Sequence, residues 1–320
     1  MKQGKQQGVA LITALLVVSI AVILATALVD RLHFDIRRTE NIIHNEQAYV
    51  YSLSMESFLL IALKLDKENN DYDSKDQLEA ANTYLAAPVE GGEVAARVED
   101  LQGLFNLNNL SKTINASGFQ RDLERFQRLL TTLELNPVLG NAVVDWLDAD
   151  AETTNPDGAE DDYYYGREPA YRAANTLMSS PSELRLIKGF HEDEVYEKLL
   201  PFITTLQEAT NININTAPAE VLKSLSTDLT DDDVSKIIQL RDGDDNTEAD
   251  PFETADEFKN YMQTTLKKNN FSVDGMGTAS DYFLMRTFAH VGQGNVRLVS
   301  IIHRTDKGES HVINRAQGNW

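Results

Sequence analysis

Residues 1–31 read MKQGKQQGVALITALLVVSIAVILATALVDR, and the passage at Gly8 from a polar leader straight into an apolar run decides how everything after it is read. Val9 to Val29 carries no charge, and at about 1.5 Å per helical residue it spans roughly 30 Å, the thickness of a bilayer's hydrocarbon core. A membrane-spanning helix is therefore predicted. Lys2 and Lys5 precede it, but Arg31, Arg37 and Arg38 follow, so charge alone orients it weakly. Ala25-Thr26-Ala27 fits the small-x-small cleavage pattern of a removable secretory signal. Against that reading, the chain has neither proline nor glycine from Val9 to Leu65, and Leu32, Ile36, Ile43, Val50, Leu53, Phe58, Ile61 and Leu65 prolong a helical apolar pattern. One helix of about 85 Å is expected, half apolar all round and half amphipathic. A disposable signal has no use for the second half.

The 320-residue chain holds 29 basic and 50 acidic residues, a net charge of −21, which repels phosphate backbones and argues against a nucleic-acid partner. It has no cysteine, which excludes disulfides, thiolate catalysis and cysteine zinc sites. Six histidines are scattered, and His191-Glu192 opens a zinc-protease pattern that Val195 breaks where the second histidine belongs. No Gly-x-Ser-x-Gly or phosphate loop occurs. No enzymatic activity is expected.

After Leu65 a polar stretch leads to a short helical pattern, Leu78 to Ala87, stopped at Pro88. Glu93 to Asp100 (EVAARVED) alternates as a half-buried strand after Gly91-Gly92, and Leu104 to Leu110 alternates again. Helical patterns then dominate to about Ser272. Tyr282–Val291, Asn295–Thr305 and His311–Arg315 read as an antiparallel meander turning at Gly292-Gln293-Gly294 and Asp306-Lys307-Gly308. Strands thus flank a helical block, which predicts an α+β domain, a long helix on an antiparallel sheet, with a large, mostly helical domain inserted between its strands.

Within that block Asp145 to Tyr165 (DWLDADAETTNPDGAEDDYYY) crowds carboxylates into one loop. Such groups repel unless a hard cation takes the charge, and calcium accepts six to eight oxygens from flexible loops. Asp148, Asp150 and Glu152 imitate the start of an EF-hand, but Thr153 replaces the turn glycine and Ala159 the bidentate glutamate. A Ca2+ loop of another kind is expected, with Asp148, Asp150, Asp157, Glu160 and Asp161 as ligands and Asp157-Gly158 making the reversal. Tyr163-Tyr164-Tyr165 either pack this loop or face a partner. A second acidic loop, Arg241 to Asp250, is read mainly as solvated.

Asn213 to Asp256 resembles the helix-hairpin-helix module of DNA-uptake and repair proteins, and Ser182 to Phe190 resembles one of its halves. The module's hairpin glycines offer N–H groups to phosphate. Here Thr227-Asp228-Leu229-Thr230-Asp231 stands in their place, with Thr230 as a helix cap and Asp233 at the capping-box position. The expectation is a helix-hairpin-helix-like fold without DNA binding. The alternatives are a membrane-anchored DNA receptor and an ordinary secreted calcium-binding protein.

A basic leader ending in Gly8, an apolar run directly behind it and one long N-terminal helix resemble the prepilin class of type IV pilins and type II secretion pseudopilins. The resemblance implies that a prepilin peptidase cuts after Gly8 and methylates Val9, while the apolar helix is retained as an inner-membrane anchor and filament core. The family usually has Glu at the fifth mature position; here that position is Thr13. This departure is similar to the large minor pseudopilins of the K type, placed at the filament tip, whose known insertion looks helix-hairpin-helix-like. The resemblance further implies a globular part in the periplasm of a Gram-negative cell, and minor pseudopilins I and J and other pseudopilins as partners. The expected organisation is a leader at 1–8, a membrane segment at 9–29, a pilin-like domain at 30–108 and 272–320, and the inserted domain at 109–271.

Overall fold

A computed structural model describes residues 7–244 and 246–318. Met1–Gln6 of the expected leader lie outside the described residues.

Helix α1 runs unbroken over Gln7–Asn69, as the absence of proline and glycine requires. No residue of its apolar window is buried by protein. The few hydroxyls there are satisfied within the helix: Thr13 Oγ1 donates to Val9 O at 3.1 Å and Ala10 O at 3.0 Å, and Ser19 Oγ to Leu15 O at 2.8 Å. A helix so arranged exposes no unpaired polar group to lipid.

Ser74 starts α2 (Lys75–Tyr84) with a capping box, exchanging hydrogen bonds with Gln77. The expected helix to Ala87 stops earlier, because Ala86–Val89 forms strand β1 and pairs antiparallel with β2 (Gly92–Asp100). Pro88 is tolerated since β1 is a sheet edge, where a missing N–H breaks no ladder. Gly91, at φ +81°, makes the turn between them.

The chain then leaves the sheet. Two-residue strand β3 (Phe105–Asn106) precedes α3 (Phe119–Thr132), α4 (Leu139–Leu147), α5 (Asp161–Tyr164) and α6 (Asp193–Leu199). Strand β4 (Ile203–Thr204) pairs parallel with β3. Strand β5 (Ile212–Asn213) is followed by α7 (Ala219–Ser224), α8 (Asp231–Asp242) and α9 (Ala255–Thr264), after which β6 (Met276–Gly277) pairs parallel with β5. These helices and loops bury one continuous core, including Phe105, Phe126, Trp146, Tyr164, Phe190 and Phe258.

Strands β7 (Tyr282–Val291), β8 (Gly294–Arg304) and β9 (Ser310–Gln317) complete a five-stranded antiparallel sheet in the order β1-β2-β7-β8-β9. The second half of α1 lies across it. Near the membrane segment Ala48 packs with Val94, Ala289, Val291 and Val296; farther along, Leu59 and Leu63 pack with Val98, Phe283, Met285 and Ile302. A Cβ on Gly294 would lie 2.6 Å from the backbone of His44 and Asn45, so only glycine lets β8 meet the helix there. The chain leaves at Asp100 and returns at Tyr282, register neighbours of Phe283 and Leu101 at the end of the sheet away from the apolar half of α1. By connectivity the excursion is 101–281, wider than 109–271.

That exit is knitted by buried polar groups. Arg304, 1% exposed, donates through Nη1 to Asp66 Oδ2 at 3.1 Å, and through Nη2 to Asp73 and to Ser280 O at 2.7 Å. Asp100 accepts from Gln102 N at 2.7 Å, Ser280 Oγ at 2.6 Å, Thr216 Oγ1 at 2.5 Å and Asn213 Nδ2 at 3.0 Å. Helix, sheet and inserted block share this junction.

Candidate metal centre

Helix α4 carries Asp145 in its last turn and ends at Asp148, whose N–H reaches Val144 O at 3.0 Å. Asp145 is wholly buried and closes the loop that follows: its carboxylate accepts from Thr154 N at 3.0 and 3.1 Å and from Ala159 N at 2.7 Å. The reversal falls where expected, with Asp157 at φ +66° and Gly158 N bonded to Thr154 O at 2.9 Å. Gly158 is sterically required, since a Cβ there would sit 2.1 Å from Asp145 Oδ2 and 2.5 Å from Thr154 O.

The closed loop brings Asp148, Asp150 and Glu160 together, one oxygen of each within 4.8 Å of the others. Asp148 Oδ1 and both Glu160 oxygens are buried without a hydrogen-bond partner. Burial first, then Asp145, Asp148, Asp150 and Asp161, pushes the Glu160 carboxyl up to about 7. Burial followed by Asp150 and Asp145 pushes Asp148 up to about 6, against the pull of Lys112. Two carboxylates 4–5 Å apart repel by roughly 3–4 kcal/mol at an effective dielectric of about 20. Orphaned buried acceptors and mutual repulsion are both relieved by one hard cation, and an all-oxygen donor set fits calcium.

Two of the five expected ligands point elsewhere. Asp157 Oδ1 accepts from Lys188 Nζ at 2.6 Å, and Asp161 Oδ1 accepts from Ala173 N at 3.0 Å, anchoring the strand of chain beyond the loop. Glu160 precedes α5 and Asp161 opens it, and only the carboxylate of Glu160 joins those of Asp148 and Asp150. Of the three tyrosines, Tyr164 is core, stacked edge-on to Trp146 at 5.3 Å, whereas Tyr165 is 48% exposed.

In the second acidic loop, Asp242 pairs with Arg241 and Lys75, and Asp244 accepts from Thr247 and Asn246, which with Gln239 lowers it to about 2. Asp245 lies outside the described residues. The hairpin between α7 and α8 forms the expected capping box: Asp233 N donates to Thr230 Oγ1 at 3.2 Å and Thr230 N to Asp233 Oδ2 at 3.0 Å. Burial would raise Asp233, but Lys268 and Thr230 outweigh it and hold it at about 2. A fixed carboxylate thus stands at this hairpin, and its charge repels phosphate.

Sequence reasoning missed Asp145 as the closing clasp and the whole Asp73–Asp100–Arg304 junction. Asp145 could have been found as one of two polar residues, with Asn141 a turn earlier, in an otherwise apolar helix; the junction joins residues up to 238 positions apart and leaves no local signal.

Two family models described as "Type II secretion system (T2SS), protein K" match residues 103–208 and 212–274. The chain is 33% identical to a type II secretion system protein K of Pseudomonas aeruginosa, over 99% of this chain and 94% of that protein. It is 30% identical to the protein of that name from Aeromonas hydrophila, over 98% of each. Its fold is similar to a chain in a crystal structure of the GspK-GspI-GspJ complex from enterotoxigenic Escherichia coli, with a TM-score of 0.72 and 24% identity over 88% of this chain and 100% of the other. With sequence similarity along nearly its whole length and the long helix, sheet and insertion all in place, the chain belongs to the type II secretion system protein K family and is a minor pseudopilin.

Proposed function

We propose that this subunit forms the tip of the periplasmic pseudopilus and helps initiate its assembly, in the export of folded proteins across the outer membrane. The observation that carries this is the direction of the insertion. The sheet hands the chain to the block at the end remote from the apolar half of α1, so the bulk stands beyond the helix rather than beside it. Stacking a like subunit above would require passing through that block, whereas the exposed helix leaves room for subunits alongside and below. In this reading α1 anchors the chain in the inner membrane with the globular part in the periplasm. The prepilin peptidase cuts between Gly8 and Val9, and Thr13 withholds the carboxylate that could neutralise a neighbour's N-terminal ammonium. The partners are the chain's own minor pseudopilins I and J, as in the complex named above, and the other pseudopilins.

Calcium is proposed at Asp148, Asp150 and Glu160. Bound there, it supplies positive charge directly at the three carboxylates and fixes the loop after α4; Asp145 and Gly158 hold the loop in the shape that presents the carboxylates. Neither catalysis nor DNA binding is part of this reading.

N-terminal sequencing of the mature chain, together with copurification against I and J, is the test. A start at methylated Val9 and a stable complex are expected. A start after Ala27, or no association, overturns the proposal.

A further inference from the structure

On another side of the inserted block, α3 turns Arg121, Arg125 and Arg128 into a cleft of about 620 Å³, closed by Leu225–Thr227 of the α7–α8 turn and by Asn270–Gly275. The spacing of i, i+4 and i+7 puts the three guanidinium groups on one helix face. In a chain of net charge −21 this concentration of cations is not a general surface property.

The cleft is built, not incidental. Arg121 lies across two glycines: a Cβ on Gly118 would sit 2.4 Å from its Nη2, and one on Gly275 2.5 Å from its Cζ. Its Nε and Nη2 hold Asp122 at 2.9 and 2.8 Å. Arg125, 2% exposed, shares the same carboxylate and donates to Asp274 O at 2.6 Å, yet its buried Nε has no partner. Burial lowers Arg125 to about 10, against the opposing pull of Asp122.

Arg128 donates only to backbone carbonyls, Ser224 O at 2.7 Å and Leu225 O at 3.4 Å, and among the described residues it forms no ion pair. Three guanidinium groups therefore meet two carboxylates in the cleft, Asp122 and Asp274, while Glu124 acts on Arg128 only at longer range, and Asp274 already accepts from Ser272 Oγ at 2.8 Å. The Nη1 groups of Arg121 and Arg128 take no part in these bonds, and Ser117, Thr227 and Asn270 line the same space. A fork of guanidinium donors in a cleft also lined by polar residues suits a tetrahedral oxyanion.

We propose that this cleft binds a small phosphate-bearing solute, held by Arg121 and Arg128, which ties α3 to the α7–α8 turn and the 270–275 loop. The volume admits a small molecule, and the surrounding negative field disfavours a polyanion. A phospholipid headgroup of the anchoring membrane is out of reach, because the block begins beyond Leu63, some 34 residues or about 50 Å of helix past Val29.

The test is equilibrium dialysis of the full-length protein in detergent, with chelator present, against inorganic phosphate. Saturable binding of one phosphate per chain is expected. Arg128→Gln should weaken it at least tenfold, and Thr227→Val with Asn270→Ala, which break no fold-holding bond, severalfold. Asp148→Ala with Asp150→Ala should leave it unchanged. Absence of saturable binding at millimolar phosphate overturns the proposal, as does equal binding by wild type and both cleft variants. Stronger retention by anionic lipid vesicles than by phosphate, lost in Arg128→Gln, would overturn the soluble-ligand assignment.

Discussion

Asp73 and Asp100 at the junction, and half-buried Asp148 and buried Glu160 in the acidic loop, are carboxylates of one molecule treated in opposite ways. At the junction the charge is answered from within: Arg304 lies between Asp66 and Asp73, over the Phe283 ring at 4.9 Å, and four donors converge on Asp100. Among the described residues of this junction, only Arg304 has a buried polar atom, its Nε, without a partner. In the loop, among the described residues, no cation forms an ion pair with the three carboxylates, Lys112 acting on Asp148 only at longer range, and the buried oxygens of Asp148 and Glu160 are unanswered. The first arrangement completes itself on folding and fixes how the inserted block sits on the pilin-like sheet. The second is completed only from outside, which makes that part of the block responsive to its surroundings.

The largest effect should come from the self-contained site. Arg304→Met keeps an unbranched apolar side chain beside Phe283 but removes the guanidinium and strands Asp66 and Asp73, and breaking a buried pair by removing one partner costs about 3–5 kcal/mol. A denaturant midpoint measured with and without calcium checks it, and the loss should be the same in both. A calcium-dependent loss would mean that the two regions are not independent.

Next in size is removal of the external cation. A ligand bound only to the folded state stabilises it by roughly 2.7 kcal/mol at a free concentration a hundredfold above its Kd. Chelator should therefore lower the melting temperature of the wild-type protein by several degrees and that of Asp148→Ala with Asp150→Ala hardly at all. Equal responses would remove calcium from this loop.

Acidity offers a third, smaller test. Without metal the folded Glu160 keeps its proton to about 7, against an ordinary value of 4.5, and Asp148 to about 6, against 3.8. Groups raised in this way contribute stability that is fully present below the unfolded values and is lost as pH climbs through the folded ones. The metal-free protein should thus weaken between about pH 4 and 7. Calcium needs the deprotonated carboxylates, so its stabilisation should grow over the same interval. Asp73, raised to about 6 mainly by burial despite Arg304, adds to the metal-free trend. The discriminating quantity is therefore the difference between wild type and Glu160→Gln, which should show a flatter profile; parallel profiles would take Glu160 out of the titration.

How much of this was legible beforehand follows the range of each signal. The long helix, the meander at Tyr282–Val291 and the Thr230 cap rest on periodicity and neighbours within four residues, and they stand at or within a few residues of where the sequence puts them. Pro88 misled because proline ends helices and also sits on edge strands, and only the pairing with β2 tells which. The acidic loop was visible as composition, but composition does not aim side chains. Asp148 and Asp150 differ from Asp157 only through the conformation that Asp145 and Gly158 impose. Arg304 sits on a strand that reads as ordinary alternation, and its carboxylate partners lie more than 200 residues upstream.

Asp157 supplies the finest test of the contrast, because its chemistry is that of a ligand and its geometry is not. Its carboxylate, about half exposed, pairs with Lys188, and exposed ion pairs contribute about 0–1 kcal/mol. Asp157→Asn keeps the side-chain shape and tolerates the left-handed backbone of the turn, where φ is +66°. The variant should lose less than about 1 kcal/mol and keep the full chelator-induced drop in melting temperature. A vanished drop would make Asp157 a ligand, and the loop would then have to reorganise on binding instead of presenting Asp148, Asp150 and Glu160 already in place.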